Sequence, residues 1–121
     1  MSDLLRQKCE ACRAGAPPAT PAEISELKRQ TPGWGIVEEE GIPRLRRVFK
    51  FQDFAGALAF AVKVGEAADG EDHHPAVLIE WGLSTVTWWT HKIRGLHRND
   101  FIMAAKTDEI YRASNPAPSA R

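Results

Sequence analysis

Net charge is the first thing this chain lacks, since sixteen Lys and Arg residues balance sixteen Asp and Glu. Without a basic excess, no net field draws it to phosphate backbones or anionic lipid, which disfavours direct nucleic-acid binding by charge. Long apolar runs are missing too. The longest, Phe54 to Val62, is Ala-rich, well short of the roughly 18 residues that read as a membrane span, and reads as part of a core helix. The opening MSDLLRQKCEACRAGAPPAT holds no apolar signal-peptide core, so the expected location is cytoplasmic. Cysteine is scarce, with only Cys9 and Cys12 in a C-x-x-C. A zinc ribbon needs a second pair, and a thioredoxin-type motif sits between a strand and a helix rather than in a polar leader. The pair therefore reads as thiols without a catalytic role, with redox or weak metal chemistry as alternatives.

What is present is the composition of one ordinary domain, 121 residues with 43% hydrophobic and 26% charged side chains. Residues 1–19 read as a flexible leader, broken by Gly15, Pro17 and Pro18, residues 20–113 as a single domain, and residues 114–121 as a flexible tail. Thr20, Pro21 and Glu23 spell a helix start with a capping box, for a helix over 21–30. WGIVEEE and PRLRRVFKF flank a turn at Glu40-Gly41. Asp53 caps a second helix through about Ala68, with Phe54, Leu58, Ala61 and Val62 at the spacing of one buried face. AVLIEW and STVTWWTH form a second hairpin about Gly82-Leu83, and a last helix runs from near Arg98 to about Arg112. The order α-β-β-α-β-β-α predicts an α+β fold, an antiparallel four-stranded sheet with helices packed on one face.

Three of the four histidines surround the second hairpin. With the turn at Gly82-Leu83, Ile79 opposes Val86 and Val77 opposes Trp88. Val77, Ile79, Trp81, Val86 and Trp88 then share the core face, and Leu78, Glu80, Thr85, Thr87, Trp89 and His91 the other. Extending the register brings His74 close to His91, with His73 projecting oppositely or to the rim. A catalytic zinc takes three protein nitrogens, but adjacent histidines on an extended segment diverge and ligate one ion awkwardly. Acid–base chemistry tolerates divergence better, because imidazole titrates near neutrality and can both donate and accept a proton. Proton transfer, metal binding and a structural role all stay open on spacing alone. Asp69 and Asp72 could orient an imidazole or meet a polar ligand edge, or be simply solvated. Asp100 suits a helix start, and His97 sits where a capping residue is expected.

The same residues resemble the signature of the pterin-4a-carbinolamine dehydratases, in particular bacterial members associated with phenylalanine hydroxylase. It reads here as Asp69, His73, His74, Pro75, Trp81, His91 and Asp100, and the likeness spans roughly residues 20–112. The resemblance implies dehydration of a 4a-hydroxytetrahydropterin to the quinonoid dihydropterin during tetrahydropterin recycling, with no metal and no organic cofactor. It implies His73, His74 and His91 as catalytic, His73 and His91 being the acid–base pair and His74 orienting the pterin. Asp69 and Asp100 join His74 in substrate binding, with Asp100 in a supporting role, in binding or in orienting His91. Partners implied are the carbinolamine substrate, a phenylalanine hydroxylase and further copies of the chain as a homodimer or homotetramer. Phe101, Ile102 and Met103 in the last helix exceed what one core stripe uses and suggest the association surface. The alternatives are a protein–protein binding module without the chemistry and a His-ligated metal hydrolase.

Overall fold

Helix α1 (Pro21–Gln30) starts on a closed capping box. Thr20 Oγ1 accepts from the Glu23 N–H at 3.1 Å while the Glu23 carboxylate accepts from the Thr20 N–H at 2.8 Å. The bond from the Thr20 backbone, then that from its side chain, hold the Glu23 carboxyl below its ordinary value. The computed structural model describes residues 3–7, 9 and 17–114. Most of the expected leader, including Cys12, and the expected tail from 115 on lie outside the described residues.

After α1 come β1 (Gly35–Glu39), β2 (Ile42–Lys50), α2 (Phe54–Glu71), β3 (Ala76–Glu80), β4 (Leu83–Trp88) and α3 (Arg98–Ser114). The strands form one antiparallel sheet in the order β1-β2-β4-β3, and α2 and α3 pack on the same face of it. This is the α+β architecture and element order that the sequence predicts. Glu40 and Gly41 both take positive φ, 54° and 76°, as a tight hairpin turn requires. Leu45 and Phe49 of β2 and Val86 and Trp88 of β4 are fully buried on the helix side. The outer face is mixed along the middle strands: Val48 is exposed there, while Arg46 Nε donates to Thr87 Oγ1 at 2.9 Å and pairs with Glu39 at 2.9 Å.

The second hairpin turns one residue earlier than expected, on Trp81-Gly82. Val77 pairs with Val86, Leu78 with Thr85, Ile79 with Ser84 and Glu80 with Leu83. A slip of two in pairing preserves alternation, so the strand residues keep their expected faces. Trp81 does not keep its place. As a turn residue it leaves the core and is 72% exposed. Gly82 fixes the turn, with φ +75°, and its carbonyl accepts from the Phe51 N–H at 2.8 Å. A side chain there would press within 3.2 Å of the Phe51 carbonyl oxygen.

Helix α2 has two apolar stripes, and the core takes the other one. Ala57, Phe60, Val64 and Ala68 are buried, whereas Phe54, Leu58 and Val62 are exposed. Small Ala57 and Ala68 permit close approach to the sheet, and Phe60 completes an aromatic cluster with Phe49 and Phe51 at 4.8 and 5.1 Å. In α3 the whole run from Phe101 to Ala105 is buried, because the sheet, α1, α2 and the N-terminal 3₁₀ turn (Asp3–Arg6) all contact that helix. Nothing in that run is left over for association. Leu4, in that turn, is itself fully buried in the core, so the described part of the expected leader contributes to packing. No helix among the described residues is long and apolar enough to cross a membrane.

Candidate active site

The site starts with how α2 stops. Asp72 sits in the left-handed region at φ +53°, the Asp72 N–H donates to the Asp69 carbonyl at 3.3 Å, and the His73 N–H reaches the Ala68 carbonyl at 3.1 Å. These are the two bonds of a Schellman stop, with Asp in the position glycine usually fills. The helix therefore runs past the expected Ala68 through Glu71, and the stop reverses the chain so that His73 enters the interior.

There the His73 Nε2 lies 2.7 Å from Asp100 Oδ1, in a pair whose side chains are 8% and 0% exposed. Asp100 arrives on the first turn of α3. Its second oxygen accepts from Thr90 Oγ1 and from the His97 N–H, both at 2.8 Å. Three bonds thus satisfy a fully buried carboxylate, as burial of a charge demands. Because a carboxylate only accepts, the His73 nitrogen facing it carries the proton, and Nδ1 is left with the lone pair in the neutral ring. The imidazole also lies parallel to the Trp88 indole, at 5.7 Å and 6°. Trp88 is pinned in turn by its Nε1–H donating to Thr107 Oγ1 at 3.1 Å. His73 is thereby held on an edge and a face.

His74 points outward. Its Nε2 lies 2.9 Å from Asp69 Oδ1, with both side chains exposed. His91 begins a short 3₁₀ turn (His91–Ile93) inside a loop closed by backbone bonds between Thr90 and Gly95. The exposed His91 ring stacks on Trp89 at 4.4 Å and 18°, and the Arg44 guanidinium lies 4.1 Å from the Trp89 ring centre. β3 pairs with β4 as far as Ala76 opposite Thr87, and that register, extended by two residues, sets His74 opposite Trp89 and two residues short of His91. Asp100 joins His73 instead of His91, though Thr90, its hydroxyl partner, directly precedes His91. His97 caps α3 as expected, its Nδ1 accepting from the Asn99 N–H at 3.0 Å.

Sequence reasoning missed Thr90, Trp88 as a stacking floor, and Arg44. The only signal for Thr90 was a hydroxyl at the end of an apolar strand, and nothing in the order of residues marks it as a carboxylate ligand. Among the described residues, no three His, Cys, Asp or Glu side chains cluster as metal ligands.

On this α+β sandwich, then, His73 is buried against Asp100, while His74 and His91 are exposed. The sequence pattern of the family described as pterin 4 alpha carbinolamine dehydratase matches residues 17–110, and the chain belongs to that family. A relative from Microcystis aeruginosa, provisionally named a pterin-4-alpha-carbinolamine dehydratase, is 55% identical over 95% of this chain and 99% of its own. One from Gloeobacter violaceus with the same provisional name is 60% identical over 89% of this chain and 93% of its own. The crystal structure of a transcriptional coactivator/pterin dehydratase from Brucella melitensis superposes with a TM-score of 0.70. It is 32% identical and covers 78% of this chain and 99% of its own.

Proposed function

We propose that this chain dehydrates a 4a-hydroxytetrahydropterin to the quinonoid dihydropterin, by histidine general acid–base catalysis, in tetrahydropterin recycling for aromatic amino acid hydroxylation. The family and the names of its relatives support the activity. The observation that carries the histidine mechanism is the buried His73–Asp100 pair. In the reaction the C4a–O bond breaks, the departing hydroxyl takes up a proton to leave as water, and N5 loses its proton. An imidazole whose Nε2–H is fixed on a carboxylate offers Nδ1 as the base for N5, with its tautomer and orientation held by that bond. His91, exposed and steadied on Trp89, is the proposed acid for the hydroxyl. His74 and Asp69, at the rim, are the proposed contacts to the polar pterin edge. A phenylalanine hydroxylase is the proposed source of the carbinolamine.

The test is stopped-flow ultraviolet detection of dehydration, with the carbinolamine generated in place by a hydroxylase. We expect wild type to accelerate it and His73→Ala and His91→Ala each to slow turnover by roughly 10²–10⁴-fold. Wild-type rates in both variants would overturn the mechanism. The coactivator in the name of the Brucella neighbour suggests a second reading, a binding module indifferent to these histidines. A partner complex unaffected by the same two variants, in a chain without dehydration, would favour that reading.

Self-association as a homodimer or homotetramer belongs to the same proposal, through α2 rather than α3. Phe54, Leu58 and Val62 recur at i, i+4 and i+8 and are exposed, a stripe that suits an isologous contact with a second copy. Leu58→Glu is expected to yield monomer in sedimentation equilibrium. An unchanged mass would remove this surface from consideration.

A further inference from the structure

Asp100 and His73 reach each other from two different helix ends, and each end is fastened to the same stretch of N-terminal chain. At the α3 end, Arg98 Nε donates to Gln7 Oε1 at 2.8 Å, and Cys9 Sγ lies 3.8 Å from the Asn99 carbonyl oxygen. These two residues immediately precede Asp100. Two turns further on, Lys106 Nζ donates to the Leu5 carbonyl at 3.0 Å. At the α2 end, the Glu71 carboxylate accepts from the Cys9 N–H at 2.8 Å. Glu71 is the last residue of α2, two before His73. Leu4, fully buried, anchors the segment in the core. All of these N-terminal residues lie outside the stretch 17–110 that matches the family pattern.

We propose that this N-terminal segment, Leu4–Gln7 with Cys9, is a positioning strap that holds the α2 and α3 ends at the spacing the His73–Asp100 bond needs, with Glu71 as the positioning residue on the histidine side. The inference rests on the dehydratase reading of that site for its effect on turnover. The physical reason for a strap lies in the stop itself. Asp72, a non-glycine residue, is held left-handed at φ 53°, a region that glycine enters without the steric cost a side chain brings. A turn of that kind persists only when its surroundings over-determine it. The clasp from Glu71 to Cys9 is one such constraint, placed on the residue before the strained one. Released, the α2 end can relax, and the 2.7 Å contact from His73 to Asp100 lengthens. Misplacement of a catalytic group by about 1 Å costs on the order of 10²-fold in rate, and a partial release costs less.

The experiment uses the full chain as wild type, Glu71→Ala, Glu71→Gln and Gln7→Ala. Dehydration kinetics, thermal unfolding and the ring resonances of His73 by NMR are measured on each. Glu71→Ala is expected to lower kcat about tenfold, with KM and the unfolding midpoint unchanged and the His73 ring signals displaced. Glu71→Gln, whose amide oxygen still accepts from the Cys9 N–H, is expected to restore both kcat and ring signals. Gln7→Ala, which releases Arg98 at the other helix end, is expected to displace the same ring signals. Ring signals that coincide with wild type in both alanine variants would overturn the strap. So would a Glu71→Gln variant as impaired as Glu71→Ala. If wild type shows no dehydration, the functional reading fails while the ring signals still decide the strap.

Discussion

His73 and His74 are neighbours, each with Nε2 within 3 Å of an Asp oxygen, at 2.7 and 2.9 Å. They differ in what surrounds the pair. His73 and Asp100 are buried, and the carboxylate has two further donors in Thr90 and His97. The side chains of His74 and Asp69 are 55% and 81% exposed. Water screens the outer pair and both chains can leave it, so such a contact is worth about 0–1 kcal/mol. In the inner pair each group depends on the other, and leaving a buried donor or acceptor without its partner typically costs about 1–3 kcal/mol, more where the group is charged. One geometry therefore yields a fixed tautomer inside and an adaptable edge outside. That division suits a reaction in which one imidazole takes a proton at a set position and another meets a ligand.

The largest effect should come from breaking the inner pair without changing its shape. Asp100→Asn keeps an oxygen for Thr90 and the His97 N–H but turns an amide donor toward His73. The ring must then accept at Nε2 and carry its proton on Nδ1, which removes the proposed base. We expect kcat to fall roughly 10²–10⁴-fold, in the same stopped-flow assay, with the fold retained by circular dichroism. Wild-type turnover in Asp100→Asn would show that the tautomer of His73 does not matter to the reaction.

The contrast between the two histidines was not legible in the sequence, although much of the fold was. Element order and both hairpins follow from local signals, namely the Thr20 capping box, Glu40-Gly41, the Asp53 cap and strand alternation. Alternation also fixed the β4 faces despite the slipped turn, because parity survives a shift of two. What failed depended on tertiary choices between equivalent local options. Two apolar stripes on α2 look alike until the sheet selects the one with alanines. Trp81 reads as a core aromatic until the backbone contact between Gly82 and Phe51 sets the turn. The three histidines and both aspartates stand out as candidates from spacing and family likeness. Their pairing was not, since which carboxylate meets which ring is decided by the reversal at Asp72, and a left-handed Asp has no sequence signature.

A smaller effect should follow at the outer pair. His74→Ala and Asp69→Asn are expected to raise KM, leave kcat largely intact, and shift stability by less than about 1 kcal/mol. Steady-state kinetics and thermal unfolding check both. A loss of kcat in His74→Ala as large as that in Asp100→Asn would erase the distinction between an inner base and an outer contact.

The smallest effect concerns a carboxylate remote from the histidines, and it sharpens the comparison by testing burial by itself. Asp108 accepts from Trp34 Nε1–H at 2.9 Å and pairs with Arg47 at 2.7 Å. Burial nevertheless raises its carboxyl above the ordinary value of 3.8, outweighing the Trp34 bond and the Arg47 charge. A raised carboxyl means the folded chain binds that proton more tightly than the unfolded one. Its contribution to stability is then fully present below the ordinary value and is lost as pH rises through the higher folded value. Asp108→Asn cannot titrate, so its stability should be flatter than that of wild type across that acid-to-neutral window, as measured by denaturant unfolding at successive pH values. Parallel wild-type and variant profiles would mean that Arg47 and Trp34 fully offset burial at Asp108. Burial would then not suffice to separate one carboxylate from another in this fold, and the difference between the two histidine pairs would rest on their hydrogen-bond partners alone.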